Sequence, residues 1–148
     1  MITLRKGEKK DLPEVLNLVR ELAVYENAGD QVSNTVPLME ADGFGDHPIY
    51  GLIVAEDESG IIGSSIYYYR YSTWKGKRLY LEDLIVTESK RGAGAGKLLF
   101  EETMKIGRET QCTGMMWQVL DWNEPAINFY KKYSANFDEG WVNCNIDF

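Results

Sequence analysis

Leu81-Glu82-Asp83-Leu84-Ile85-Val86-Thr87-Glu88-Ser89-Lys90-Arg91-Gly92-Ala93-Gly94-Ala95-Gly96-Lys97 is the stretch on which the fold turns. Its first part continues an apolar run from Leu79 and reads as a buried strand interrupted by two carboxylates. Its last part reads as a glycine-rich turn at the start of an amphipathic helix. Glycine lets backbone N–H groups converge, because no Cβ blocks the approach or forbids positive φ. A helix N-terminus adds unpaired donors and partial positive charge. Strand, acidic pair, anion-binding turn and helix together suggest an enzyme with a phosphorylated cofactor.

Spacing narrows the choice. A dinucleotide fingerprint requires a third glycine where Lys97 stands, and a P-loop requires Ser or Thr where Leu98 stands. What fits is Arg-x-x-Gly-x-Gly, at Arg91, Gly94 and Gly96. A glycine-rich strand-to-helix turn without a ligand is the plain structural alternative.

Working outward, Ile2 to Lys6 alternates like an edge strand, and Asp11 with Pro13 and Glu14 reads as the start of a helix running to about Tyr25. A weaker helical piece covers Pro37 to Asp42. Ile49 to Glu56 and Ile61 to Tyr71 read as strands around the turn Asp57-Glu58-Ser59-Gly60, and Thr73 to Gly76 turns into the strand Arg78 to Val86. A helix from Gly94 to about Glu109, a strand Met115 to Leu120, a short helix from Glu124 to Lys132 and a final strand Trp141 to Phe148 complete the chain. The order β-α-α-β-β-β-α-β-α-β predicts an α/β fold with a mixed, largely antiparallel sheet flanked by helices, as one domain over residues 1–148.

The 148 residues carry a net charge of −7, which argues against nucleic acid and suits a field that attracts a cation. No apolar run approaches ~20 residues and no signal-peptide core follows Met1, so neither a membrane span nor secretion is predicted. Cys112 and Cys144 read as reduced thiols, which makes a cytoplasmic location the expectation. His47 has no partner at ligand spacing, so no metal is expected.

The Arg91–Gly96 spacing resembles the acetyl-coenzyme A pyrophosphate loop of the GNAT superfamily of N-acetyltransferases. The segment Asp121-Trp122-Asn123-Glu124-Pro125-Ala126-Ile127-Asn128-Phe129-Tyr130-Lys131 is similar to the late GNAT segment whose Asn and Tyr face the cofactor. More narrowly, Glu40 to Pro48, Tyr80 to Asp83, Trp122 to Tyr130 and Glu139-Gly140-Trp141 resemble the spermidine/spermine N-acetyltransferase family, and Tyr71-Ser72-Thr73-Trp74-Lys75-Gly76 its thialysine branch. Ser134 departs from that family, which usually has Gly there.

The resemblance implies acetyl-CoA as co-substrate and transfer of its acetyl group to a primary amine of a small cationic substrate, a diamine, polyamine or lysine-like amino acid such as thialysine. It implies Glu82 as the base and Tyr130 as the general acid. It implies cofactor contacts from Leu84, Ile85, Val86, Arg91, Gly92, Ala93, Gly94, Ala95, Gly96, Lys97, Asn123, Ala126 and Tyr130. Tyr25, Glu26, Trp74, Glu82, Asp83, Trp117 and Glu139 fall at substrate positions, and family members are homodimers. Two other readings stay open: acetylation of a protein or peptide amine, and a catalytically silent CoA-binding module.

The chemistry agrees with these residue types. A primary amine with a pKa near ~10.4 is free base in only about one molecule in a thousand at neutral pH. A carboxylate binds the ammonium and then accepts its proton. Adjacent strand residues point to opposite faces, so Glu82 and Asp83 share a site only if a bulge or splay re-aims one of them.

Overall fold

The structure is a computed structural model that describes residues 1–148. The chain divides into two compact units, Met1–Gln118 and Val119–Phe148. No helix is long and apolar enough to cross a membrane.

The first unit holds a five-stranded sheet in the order β1 (Thr3–Lys6), β2 (Gly51–Asp57), β3 (Gly60–Ser72), β4 (Gly76–Val86), β5 (Met115–Met116). Neighbours are antiparallel except β4 and β5, which are parallel. Helices α1 (Leu12–Tyr25), α2 (Val36–Phe44) and α3 (Ala95–Glu109) cover the sheet. Strand β2 shows why there are two layers of cover. Leu52 and Val54 join Leu12, Val15, Leu16, Met39 and Ile66 in one buried cluster, under α1 and α2. Ile53 and Ala55 point the other way and join Ile62, Ala95 and Leu99, under α3. Each fully buried aliphatic side chain contributes about 1.5–3 kcal/mol, so a strand buried on both faces anchors the unit from both sides.

The second unit contains α4 (Glu124–Lys131), with Pro125 in its first turn and the Asn123 side chain accepting the Ala126 N–H at 3.4 Å. Residues 135–148 form neither helix nor strand.

Three expectations need correction. Asp11 precedes α1, yet its side chain does not cap that helix. It closes a single 3-10 turn at residues 9–11, where it accepts the Glu8 N–H at 2.7 Å and takes Arg5 at 2.7 Å and 3.0 Å. A buried carboxylate gains more from a guanidinium and an amide than from one exposed cap bond. The strand expected over Met115 to Leu120 spans only Met115–Met116, facing Leu79 and Tyr80. Beyond Tyr80, β4 is distorted, and the parallel pairing ends there. The final strand expected over Trp141 to Phe148 is absent. Its alternation is real, but Trp141, Val142 and Ile146 are all exposed and bury no face.

Candidate active site

The distortion in β4 falls at the acidic pair. Asp83 is paired with Ile66 and Leu81 with Tyr67, so Glu82 stands opposite no residue of β3. This is a β-bulge, with two residues on one strand set against one on the other. Without it, Glu82 and Asp83 would face opposite sides of the sheet. With it, both line one cavity of about 580 Å³ under α1 and α2, together with Asp42, Tyr50, Ile66 and Tyr68. Leu81 stays buried, and Leu84 packs in the α3 cluster.

The electrostatics follow from that placement. Asp83 is largely withdrawn from water, and burial pushes its carboxyl up to about 6, helped by the charges of Glu82 and Glu26. Burial also raises the Glu26 carboxyl. Glu82 is exposed and accepts a hydrogen bond from the Tyr68 hydroxyl at 3.3 Å. Burial, then the Glu82 charge, pushes the Tyr68 phenol up to about 12, so it stays a donor at neutral pH. Its ring stacks on Tyr80 at 5.2 Å. At the α2 side, the Tyr50 hydroxyl donates to the Met39 carbonyl at 2.6 Å. Burial and the charge of Asp42 push its phenol up to about 12. The lining holds Asp42, Glu82 and Asp83 and no Lys, Arg or His. It can take a cation, hold it by charge and hydrogen bonds, and accept a proton from it.

The glycine turn lies at the other end of β4. Thr87 gives its N–H to the Ile62 carbonyl at 2.8 Å, on the β3 side. Antiparallel bonding alternates, so the Ile85 amide also turns towards β3, whereas those of Leu84 and Val86 face the edge that β5 leaves unpaired beyond Tyr80. Of the three amides expected to meet the cofactor, Ile85's is therefore committed within the sheet. The Val86 carbonyl accepts the Arg91 Nε at 3.0 Å. Gly92 and Gly94 have φ of +87° and +94°, and space is open where a Cβ would stand. Gly94 caps α3 with no side-chain bond and no acidic residue in the first turn, which leaves the N–H groups of Ala95, Gly96 and Lys97 to an outside acceptor. A Cβ on Gly96 would meet only Val86 Cγ2, at 3.8 Å. Ala93 and Lys97 are exposed, and Ala95 is buried against the sheet. These residues fit a diphosphate: converging amides, no carboxylate and no steric block.

The remaining candidates are scattered. The Tyr25 ring lies under the Arg91 guanidinium at 5.3 Å, which ties it to the glycine turn. Trp74 is 85% exposed on the β3–β4 turn and does not line the cavity. Trp117 packs edge-on against Phe100 of α3 at 5.2 Å, outside the cavity lining. In the second unit, Asn123 and Tyr130 are buried, Ala126 is half-buried and Glu139 is exposed. Asp42, Tyr50 and Tyr68 are site residues that the sequence did not single out. The signal for Tyr68 was present in the aromatic run Tyr67 to Tyr71, but which tyrosine meets Glu82 depends on the bulge. His47 is exposed in the loop after α2.

The acetyltransferase (GNAT) family model matches residues 15–134. Thialysine N-epsilon-acetyltransferase of Bos taurus is 36% identical over 151 residues, covering 95% of this chain and 89% of that protein. Spermidine/spermine N(1)-acetyltransferase-like protein 1 of Homo sapiens is 38% identical over 148 residues, covering 93% of this chain and 21% of that protein. Among solved structures, a mutant BH1408 protein from Bacillus halodurans superposes with a TM-score of 0.79 at 25% identity, covering 97% of this chain and 99% of that one.

Proposed function

Because the chain belongs to the acetyltransferase (GNAT) family, we propose that it transfers an acetyl group from acetyl-CoA to a primary amine of a small cationic substrate by direct attack in a ternary complex. A diamine, a polyamine or a lysine-like amino acid such as thialysine fits this description. The observation that carries the reading is the bulge that turns Glu82 and Asp83 into one cavity. An amine arrives as an ammonium ion, and a carboxylate beside it favours that charged form. Asp83 and Asp42 hold the ammonium. Glu82, the more exposed of the paired carboxylates, accepts its proton directly or through water. The freed nitrogen attacks the thioester carbonyl, a C–N bond forms and the C–S bond breaks. The departing thiolate, of pKa near ~8.5 as a thiol, takes a proton from a donor such as a tyrosine, and the second proton that the nitrogen sheds on becoming an amide restores that donor. The assignment of that role to Tyr130 rests on the sequence around it. The acetyl donor's diphosphate is assigned to the amides of residues 92–97 and to Arg91, and its pantetheine amides to Leu84 and Val86 at the free edge of β4.

The lining also bears on the acceptor. With three carboxylates and no cationic side chain in it, a substrate that carries its own carboxylate must keep that group outside the cavity. A cytoplasmic location and a homodimer belong to the same proposal, supported by two free cysteines and by the exposed apolar side chains of the C-terminal segment. We read both units as one acetyltransferase domain, since the family match spans both.

A thiol-release assay over putrescine, spermidine, lysine and thialysine, with coenzyme A binding measured by calorimetry, tests the reading. Release with at least one of these amines, lost in Glu82→Gln while coenzyme A still binds, is the expected result. Binding without release from any amine, but with release from a lysine-containing peptide, transfers the activity to protein substrates. Binding with no release from either leaves a silent module and rejects the enzyme.

A further inference from the structure

We propose that Glu21 is a positioning residue for the donor loop: projecting from α1, its carboxylate fixes the chain at Thr87–Glu88 and so sets the approach of the 91–97 amides to the acetyl donor's diphosphate. The inference rests on the reading of that loop as the donor site.

The glycine turn cannot order itself. Gly92 and Gly94 lie at positive φ, and nothing stands within 4 Å of where their side chains would begin. Glycine gives this loop its reach and also its freedom. A preorganised anion site needs its supports from outside. One support is α3, whose first turn begins at Ala95. The other is the 3-10 turn at residues 88–90, which is held from three directions. From α1, Glu21 accepts the Thr87 hydroxyl at 3.0 Å and 3.1 Å and the Glu88 N–H at 2.9 Å. From the end of β2, Asp57 pairs with Lys90 at 2.8 Å. From the residue that follows the turn, Arg91 reaches back to the Val86 carbonyl and lies over Tyr25, four residues along α1 from Glu21.

Glu21 carries the charge least suited to this place. A carboxylate near a site for a diphosphate repels it. What it supplies is acceptor capacity, because a single oxygen, Oε1, meets both the Thr87 hydroxyl and the Glu88 amide. Glutamine retains that oxygen and drops the charge, whereas alanine drops both. A role in positioning and a role in charge therefore separate cleanly.

The experiment measures coenzyme A affinity by calorimetry, KM for acetyl-CoA and for the amine, and thermal stability for the wild type, Glu21→Ala, Glu21→Gln, Thr87→Val and the double variant Glu21→Ala/Thr87→Val. Loss of the anchor is expected to weaken coenzyme A binding and raise KM for acetyl-CoA about five- to tenfold in Glu21→Ala. KM for the amine, at saturating acetyl-CoA, should stay within twofold. Glu21→Gln should bind at least as well as the wild type, and Thr87→Val, which loses one donor of the two, should fall between. The Thr87→Val effect should vanish in the Glu21→Ala background. If the wild type binds coenzyme A and Glu21→Ala binds it equally well, Glu21 is not a positioning residue. That role is also rejected if both KM values move together with the melting temperature, or if Glu21→Gln is as weak as alanine. Should Glu21→Ala not fold, Glu21→Gln and Thr87→Val decide alone. A wild type that does not bind coenzyme A overturns the donor-site reading itself.

Discussion

Asp83→Asn should stabilise the protein at neutral pH while weakening its hold on amines. The carboxyl of Asp83 stands at about 6 against an ordinary 3.8, raised by burial first and then by Glu82 and Glu26. A carboxyl raised on folding favours the folded state most when it is protonated, below 3.8. That contribution is lost as pH climbs through 3.8 towards 6. At ~1.36 kcal/mol per pKa unit, the gap is worth about 3 kcal/mol at pH 7. Asparagine keeps the shape and never ionises, so it should recover about 2–3 kcal/mol at pH 7 and about half of that at pH 5. For a chain of this size each kcal/mol moves Tm by about 2–4 °C. Urea unfolding of both proteins at pH 7 and pH 5 reads the effect directly, as a shift in midpoint at constant slope. The reasoning fails if Asp83→Asn is less stable than the wild type at pH 7, or if the difference between the two is the same at both pH values. Held beside the expected rise in KM for the amine, the gain in stability would show that the acidic pair is retained against the fold's own preference.

Gly96→Ala introduces a Cβ that meets only Val86 Cγ2 at 3.8 Å, inside the first turn of α3. It should add about 0.5–1 kcal/mol of stability by urea unfolding yet weaken coenzyme A binding by calorimetry, because the new methyl stands where the diphosphate approaches; unchanged affinity would mean that the amides there are not the site. Asp11→Ala removes the buried partner of Arg5, which keeps Glu56 at 3.0 Å as its ionic partner, and should cost about 2–3 kcal/mol at pH 7. The Arg5 guanidinium holds the Asp11 carboxyl below its usual range, so that stability is present above pH 3.8 and is lost as pH falls through the lowered value; the deficit of the variant in chemical unfolding should therefore shrink below about pH 4. Tyr130→Phe should cut turnover in the thiol-release assay at least tenfold while coenzyme A affinity changes by less than about threefold; an unchanged kcat would remove Tyr130 from the reaction.

Much of the fold was legible because its signals are local. Helices α1 and α3 and the hairpins around Asp57–Gly60 and Thr73–Gly76 follow from an apolar period, a glycine turn or an Asx turn, each contained within a few residues. The glycine turn was legible for the same reason: two of its glycines adopt positive φ and the third lies in the first turn of α3. What the sequence hid depends on pairing. Met115 to Leu120 is apolar enough for six residues of strand, but how many pair is decided by β4. Trp141 to Phe148 alternates without a face to bury. Trp117 has the composition of a substrate wall and packs instead against Phe100. Asp11 has the composition of a cap and serves Arg5, which lies in β1 and pairs with Val54 of β2. In each case the residue type fits two uses, and a partner distant in sequence chooses between them.

The bulge at Glu82 links the acceptor and donor halves of the proposed site through one backbone irregularity. Inserting a single residue opposite β3 turns two consecutive carboxylates to the same face. It also increases the local bend of the strand, and β5 keeps pace with β4 only as far as Tyr80. The edge left bare carries the outward amides of Leu84 and Val86 and leads, through Thr87, into the turn that Glu21 and Asp57 brace. In a regular strand one of the two carboxylates would face the α3 side of the sheet, whose neighbouring residues pack as an apolar cluster. The acidic pair and the start of the open edge thus fall at the same place in β4. The side chains at 82 and 83 set the chemistry of the cavity, and the extra residue of backbone sets where that cavity and the donor's path lie.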